Sequence, residues 1–304
     1  MCAATRSTMA SLNRRQVLRC LAMTGVAVGP WPSEARAPSG FPLWEVSSGG
    51  HRVYLLGHTP PRKADWSDGR VESLLEGCGV LWKETSETPP PNIQQLIQHY
   101  GTDPDSLMTR LDGSQQRRLE AAAKAVAVPE ESLTHFRPWL AGQTLEGAFY
   151  SAKGFTGQNA DKVLTKEAQK LGIPVSSEFP SVEDAARWFS ELSPDAELQY
   201  LLYVLDEILV GHDEGQHTYA RWAVGDDTPA LAWVTRMRRL YPQLYEAIVA
   251  ARNRRWVPRV QDMLSRDKPS MVVVGLYHLA GPDKIQKQLA AHGLAVRLID
   301  LSRS

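Results

Sequence analysis

"MVVVGLYHLAG", residues 271–281, begins with four apolar residues in a row. A short, continuous apolar run of this kind is typical of a strand that is buried on both faces of a sheet. Gly275 ends the run and allows a sharp turn, and His278 follows three positions later. We predict that His278 projects over the edge of the sheet, where an imidazole can bind a metal or transfer a proton. A histidine that caps the following helix is the structural alternative.

A similar stretch, "RVYLLGHTPPR", occupies residues 52–62. It has the same apolar run and the same glycine, Gly57, but His58 comes one position after the glycine instead of three. The preceding residues "FPLWEVSSGGH" predict a hairpin of two strands, over 43–46 and 52–56, around a Ser-Ser-Gly-Gly turn. His51 follows this turn and is expected to face solvent.

Each of these strands begins a unit of strand, loop, helix and strand. The first continues with "DGRVESLLEGCG" and "VLWKE", and the second with "PDKIQKQLAAHG" and "LAVRLIDL". Two such units predict parallel strands with right-handed crossovers that share one sheet. The residues between them have helical periodicity, apart from one short strand, "IPVSSE". We therefore predict an α/β fold: a central sheet built from two similar β-loop-α-β units with a large helical insertion, in a single domain over 38–304.

Acidic residues end three of the predicted strands. Glu84 ends "VLWKE", Glu178 ends "IPVSSE" and Asp300 ends "VRLID". Ligands of open α/β sheets gather at the carboxyl ends of strands, where a carboxylate can bind metal or act as a general base. Solvated strand ends give the same pattern, so both interpretations stay open.

Two further charged stretches carry weaker signals. "GHDEGQH", residues 211–217, contains acids and histidines but matches no metal-ligand spacing, so we expect a solvated loop between helices. "ARNRRW", residues 251–256, lies in a long helical pattern and by itself indicates surface charge.

The first 37 residues predict an export signal. Arg14 and Arg15 form a twin-arginine pair, an apolar run follows over 20–31, and Ala-Arg-Ala ends the segment. We therefore expect a periplasmic or otherwise exported protein. Pro38 would follow the cleavage site and disfavours cleavage there, so an uncleaved segment that anchors the protein is the alternative.

Composition excludes several functional classes. Lys+Arg and Asp+Glu both number 34, so nothing indicates a nucleic-acid surface. No apolar run is long enough for a transmembrane helix in the mature protein. Beyond residue 37 the only cysteine is Cys78, which we expect to be buried. The sequence contains no phosphate-binding glycine loop, no G-x-S-x-G and no H-E-x-x-H motif.

The order of these segments over about 42–301 resembles the TraB/GumN family, relatives of the Tiki-type proteases. The segments that carry the resemblance are "PLWEVSSGGHRVYLLG", "LWKETSE", "GQNADKVLTKEAQKLGIPVSSEF", "RWAVGDD", "ARNRRW" and "VVVGLYHLAGPDKIQKQLAAHGLAV". The resemblance implies a metal-dependent hydrolase, with peptidase activity that uses an ion similar to Mn²⁺ or Co²⁺.

Carried over residue by residue, the resemblance implies roles for particular side chains. His278 and Glu84 would hold the metal and carry the chemistry, with Glu178 as a candidate base. Arg252 and Asn253 would stabilise charge or orient the acids.

The first histidine of the family falls on Pro60, which cannot bind a metal. One alternative is that His58 replaces it as the third ligand. Another is that the metal is lost and the protein is a non-catalytic exported protein that binds a peptide or an envelope component; a structural or regulatory envelope factor is a third alternative.

Overall fold

The computed structural model describes residues 40–86, 88 and 90–299, without the side chains of 211–216. The predicted export signal over 1–37 and Asp300 lie outside the described residues. Within the described part of the chain, no helix combines the length and apolarity that crossing a membrane requires.

Six strands form one mixed sheet in the order β4-β3-β5-β2-β1-β6. β2, β3, β4 and β5 are mutually parallel along the sheet, whereas β1 runs antiparallel to both of its neighbours. The strands are β1 (Leu43–Ser48), β2 (His51–His58), β3 (Val80–Thr85), β4 (Val175–Phe179), β5 (Ser270–Gly275) and β6 (Ala295–Leu298). The predicted hairpin is confirmed, because β1 and β2 pair from Leu43 with Leu56 to Ser48 with His51.

Helices cover both faces of the sheet, and most of them lie in the insertion between β3 and β5. They are α1 (Gly69–Glu76), α2 (Ile93–Leu96), α3 (Gly113–Ala125), α4 (Pro138–Ala152), α5 (Ala160–Lys170), α6 (Val182–Ser190), α7 (Pro194–Asp206), α8 (His212–Trp222), α9 (Thr228–Leu240), α10 (Pro242–Tyr245), α11 (Ala251–Met263) and α12 (Ile285–Ala291). π-helical turns at Ile97–Gly101, Glu207–Gly211 and Glu246–Ala250 and 3-10 turns at Leu107–Arg110, Glu130–Leu133 and Leu276–His278 complete the helical structure. The α/β fold with a helical insertion is confirmed.

The two units share the sheet, as predicted, but their strands interleave. β5 lies between β2 and β3, the two parallel strands of the first unit, and both β2 and β1 lie between β5 and β6. The sequence of each unit determines its own strands and helix. Which strands become neighbours depends on contacts between residues that are far apart in the chain, so local patterns do not predict it.

Strand β5 is buried on both faces, which confirms the interpretation of its continuous apolar run. Val272 and Val274 pack into the larger core, with the helices of the insertion. Met271 and Val273 point to the opposite face and pack into a smaller core with residues of α1 and α5. Alternate side chains of one strand therefore join the two helical layers.

The loop prediction for residues 211–217 was wrong. The backbone there is helical, because the π turn Glu207–Gly211 leads directly into α8 without a connecting loop. The helix predicted over "PDKIQKQLAAHG", residues 282–293, is shorter than this stretch: it begins at Ile285 and ends at Ala291, before Gly293, where the backbone adopts a φ of 79°. Cys78 is buried and free, in agreement with the prediction.

Candidate active site

The carboxyl ends of three neighbouring parallel strands bring the predicted site residues together. His58 ends β2, Glu84 lies one residue before the end of β3, and Gly275 ends β5. His58 lies directly opposite Gly275 in the parallel register of β2 and β5. A 3-10 turn, Leu276–His278, follows β5 and returns His278 to the same edge.

Glu84 lies at the centre of this cluster and is buried. Its Oε1 is 4.0 Å from His58 Nε2, and its Oε2 is 3.7 Å from His278 Nε2. The backbone N–H of Gly275 donates a hydrogen bond to Oε1. Arg252 Nη2 donates to Oε2 at 2.8 Å. Both oxygens of one carboxylate therefore have a hydrogen-bond donor and face an imidazole.

The pKa of Glu84 reflects these neighbours. Burial by itself would raise it, but the positive charge of Arg252 and the interaction with His278 outweigh burial, so the pKa lies well below the usual range. The carboxylate is therefore ionised throughout the physiological pH range.

Asn253 determines which nitrogen of His278 carries the proton. The Asn253 Nδ2 amide donates to two backbone carbonyls, those of His278 at 3.1 Å and Asp283 at 2.9 Å. This orients Oδ1, an acceptor, toward His278 Nδ1 at 2.7 Å. Nδ1 must then be the donor, and the neutral ring has its lone pair on Nε2.

The Nε2 atom of His278 is buried and has no hydrogen-bond partner among the described residues. Burial lowers the pKa of His278, and Glu84 opposes this effect only in part. The neutral Nε2 lone pair thus faces an ionised carboxylate oxygen at 3.7 Å, so two acceptors stand opposite each other with no donor between them. Trp256 packs against the ring of His278, with 4.2 Å between the ring centroids, and holds it in place.

Arg252 connects the two acids at this edge. Its guanidinium binds Glu84 and also Glu178, to which it donates from Nη2 at 2.6 Å and from Nε at 2.9 Å. Burial would lower the pKa of Arg252, but Glu84 and Glu178 raise it above its usual value. Aromatic rings of Phe179, Trp188 and Trp256 surround the guanidinium at 4.9–5.6 Å from their centroids.

The prediction of surface charge for "ARNRRW", residues 251–256, was wrong for Arg252 and Asn253, which are both buried.

His58 reaches the site, whereas Pro60, at the position of the family's first histidine, has no side chain that could bind a metal. β2 extends two residues beyond its predicted end and includes His58. The Nδ1 side of the ring lies 3.3 Å from the Thr59 carbonyl oxygen and 3.4 Å from Asn159 Nδ2, which leaves Nε2 facing Glu84. Pro60 and Pro61 are buried and restrict the loop that follows.

Several contacts of strands β2 and β3 were not predicted. Trp222 donates from Nε1 to the Gly57 carbonyl at 3.1 Å, and a Cβ at Gly57 would lie only 2.6 Å from the Trp222 ring. Lys83 is buried on the opposite face of β3 from Glu84 and binds Asp161 at 2.8 Å. The alternation of side chains along "LWKE" is the signal that separates Lys83 from Glu84. His51 lies at the other end of β2, where its Nδ1 is 2.7 Å from the Arg266 carbonyl oxygen.

A family model described as TraB/PrgY/gumN matches residues 42–298, which is most of the chain. The chain belongs to the TraB/PrgY/gumN family. No curated protein shows significant similarity to it. The resemblance inferred from the sequence motifs is thereby confirmed, and the cluster of His58, Glu84 and His278 is the candidate active site of this TraB/PrgY/gumN member. Among the described residues, no group of three or more His, Cys, Asp or Glu side chains is arranged so that it could hold a metal ion as it stands.

Proposed function

We propose that this TraB/PrgY/gumN protein is a metal-dependent hydrolase that acts on peptides, and that His278, Glu84 and His58 hold its metal. The observation that carries the proposal is the buried Nε2 lone pair of His278, which faces an ionised carboxylate and has no donor of its own. Such an arrangement suits a cation, because a cation satisfies both acceptors at once.

The three side chains fit a metal in their chemistry. Two imidazole nitrogens and a carboxylate are ligands that divalent transition metals accept. Ligand atoms about 2.1 Å from a tetrahedral ion lie roughly 3.4 Å apart. His278 Nε2 is 3.7 Å from Oε2 of Glu84 and His58 Nε2 is 4.0 Å from Oε1, so each imidazole faces a different oxygen and the carboxylate would bind the ion with both.

The surrounding residues would prepare the site. Asn253 accepts from Nδ1 of His278 and so fixes the tautomer with Nε2 free, as hydrogen-bond acceptors beside metal-binding histidines do. Arg252 and the Gly275 N–H hold the Glu84 carboxylate in place. A bound Mn²⁺- or Co²⁺-like ion would supply a polarising Lewis acid and an acidified water. Glu178, held by Arg252, is the candidate base.

Metal content of the purified protein tests the proposal. After growth with added Mn²⁺ and Co²⁺, we expect about one equivalent of metal in the wild-type protein and less than about 0.1 equivalent in His278→Ala and His58→Ala. His51→Ala is the matched control, since His51 lies at the opposite end of β2, and it should retain the metal. Substoichiometric metal in the wild-type protein, or metal that persists in both site variants, would contradict the proposal.

A non-catalytic exported protein that binds a peptide or an envelope component is the second candidate. It is favoured by the donors that Glu84 already has, from Arg252 at 2.8 Å and from the Gly275 N–H, and by Pro60 at the family histidine position. This candidate predicts that Glu84→Gln leaves partner binding intact, whereas the hydrolase proposal predicts loss of both metal and activity.

The proposal includes a periplasmic or otherwise exported location, with a protein anchored by an uncleaved N-terminal segment as the alternative. It is supported by the twin-arginine pair and the apolar run that follows it. Cell fractionation of a variant with Arg14→Lys and Arg15→Lys tests it. Export that is unchanged in this variant would exclude the twin-arginine route.

A further inference from the structure

A small cavity of about 70 Å³ lies between the C-terminal end of α4 and the loop that leads into α5. We call it the Lys162 pocket; its walls include Pro61, Tyr150, Ser151, Thr156, Gln158 and Lys162. A water molecule takes up about 30 Å³ of liquid, so the pocket has room for roughly two waters or for one carboxylate group. Ser151 and Thr156 are exposed, so solvent reaches the pocket.

The Lys162 pocket adjoins His58 through two segments of chain. Gln158 lies in its wall, and the next residue, Asn159, has its Nδ2 3.4 Å from His58 Nδ1. Pro61 also lies in the wall and follows His58 by three residues, a separation of at most about 11 Å. An extended peptide advances by about 3.3–3.6 Å per residue, so about three residues of a bound peptide span the distance from the pocket to His58.

Hydrogen bonds between two loops hold the walls in place. The Gly157 N–H donates to the Arg62 carbonyl at 2.6 Å, and the Trp66 N–H donates to the Gln158 carbonyl at 2.7 Å. A Cβ at Gly157 would lie only 2.3 Å from the Ala64 carbonyl oxygen, so the two loops pack this closely only around a glycine. The pocket is therefore formed before any ligand binds.

The positive charge at the pocket comes from two side chains. Of the described residues in its wall, Lys162 alone is charged. Lys162 is partly exposed, and its ammonium makes no hydrogen bond or ion pair with the part of the chain that the structure describes. Behind the wall, the Arg62 guanidinium lies 6.0 Å from the centroid of the Phe155 ring. Both cations favour an anion in the pocket.

The acids near the pocket do not cancel this charge. Asp161 pairs with the buried Lys83 at 2.8 Å. Glu146 accepts a hydrogen bond from Tyr150 Oη at 3.1 Å, and burial raises the pKa of Glu146 to about 8, so it is largely neutral at pH 7. Asp65 accepts a hydrogen bond from a backbone N–H of the wall at 2.7 Å. One negative charge, that of Asp65, therefore stands against the two positive charges.

We propose that the Lys162 pocket binds a carboxylate of the peptide substrate, within about three residues of the bond that is cleaved. The carboxylate pairs with the Lys162 ammonium, and the small volume excludes large side chains. The C-terminus of a peptide and an acidic side chain both supply this group. The inference rests on the proposed function for the nature of the substrate, but carboxylate binding requires neither the metal nor turnover.

Three peptides measure the preference for a carboxylate. They are acetyl-Gly-Ala-Ala with a free C-terminus, its neutral C-terminal amide, and acetyl-Gly-Asp-Ala amide, which has only a side-chain carboxylate. The full protein is first freed of metal with 1,10-phenanthroline, a chelator without carboxylates, and dialysed. Saturation-transfer NMR titrations then give the dissociation constants, which we expect in roughly the millimolar range for ligands of this size. At least one carboxylate peptide should bind about ten-fold more tightly than the neutral amide.

Lys162→Met removes the ammonium and should bind all three peptides with affinities within about two-fold of one another. Its midpoint of thermal unfolding should equal that of the wild-type protein, because no ion pair with the described residues is lost. Lys166→Met is the matched control. It removes the same charge from the next turn of α5, but Lys166 is exposed and does not line the pocket, so the preference should remain. Lys162→Arg keeps the charge and should keep most of the preference.

Equal affinity of the wild-type protein for all three peptides, or a preference that survives in Lys162→Met, would overturn the proposal. The aspartate peptide identifies the source of the carboxylate: tight binding supports an acidic side chain, and binding as weak as that of the neutral amide supports the C-terminus. Failure of the proposed hydrolase function is a separate result. The wild-type protein would then lack metal while the carboxylate preference persists, and the pocket would serve the second candidate, a peptide-binding protein.

Discussion

Replacing Arg252 with methionine should destabilise the protein strongly. Arg252 is 2% exposed and neutralises Glu84, which is itself buried, at 2.8 Å. Methionine keeps much of the side-chain volume but leaves the Glu84 charge buried without its partner. Removing one partner of a buried pair costs about 3–5 kcal/mol. For a domain of this size, this corresponds to a decrease of roughly 6–20 °C in the midpoint of thermal unfolding.

The destabilisation caused by Arg252→Met should depend on pH. In the wild-type protein the folded pKa of Glu84 lies below its unfolded value, so its contribution to stability is present above that value and is lost only as the pH falls through the folded pKa. In Arg252→Met, burial dominates and raises the folded pKa above the unfolded value. The variant is then destabilised as the pH rises. The difference in free energy of unfolding between the wild-type protein and Arg252→Met should therefore be larger at about pH 8 than at about pH 5.

Thermal and urea unfolding of both proteins in the presence of a chelator measure this difference. Arg255→Met is the matched control: it lies on the same helix and contacts Glu178 at 3.4 Å, but its side chain is 52% exposed. It should change the free energy of unfolding by less than about 0.5 kcal/mol. A deficit below about 1 kcal/mol for Arg252→Met, or an equal deficit at both pH values, would refute the argument that Arg252 compensates a buried charge.

Three further variants test other parts of the structure. Asn253→Ala should weaken metal binding by about 10- to 100-fold in a competition titration with a chelator, because the His278 tautomer is no longer fixed; unchanged affinity would exclude this role. Burial raises the pKa of Glu146 to about 8, so the free energy of unfolding of the wild-type protein should fall as the pH rises from about 4.5 to about 8. Glu146→Gln should lack the part of this decrease that Glu146 causes, and parallel profiles of stability against pH for the two proteins would contradict this prediction. Gly57→Ala should reduce the free energy of unfolding by about 1–3 kcal/mol, because its Cβ would lie 2.6 Å from Trp222; wild-type stability in urea would show that the ring moves away freely.

The sequence predicts the elements of this fold better than their arrangement. The apolar run 271–274 predicts a strand buried on both faces, and the glycine turns predict the hairpin, because both signals are local. The insertion of β5 between β2 and β3 has no local signal. It results from pairing across more than 180 residues, for example of Lys83 with Val273.

In the candidate active site, too, local sequence patterns predict some features, and others depend on contacts between distant residues. Strand ends predict that Glu84 and His278 come to one edge, since parallel strands share their carboxyl edge. A count of positions after Gly57 assigns the family histidine to Pro60. It does not predict that β2 continues to His58 and turns that ring toward Glu84. Arg252 has the sequence context of a surface residue, and its burial depends on Glu84 and Glu178, which belong to distant strands.

The position of β5 in the sheet determines when the sheet can form during synthesis. β5 is the fifth strand along the chain, yet it alone joins the pair β4-β3 to the pair β2-β1. A nascent chain that stops before Ser270 has two strand pairs with no ladder between them, and pairs of this size are marginal in water. Contacts of such long range slow folding and prolong the exposure of apolar strand surface. Gly275 ends β5 and His278 follows it closely, so the candidate active site assembles only after both of these residues have been synthesised.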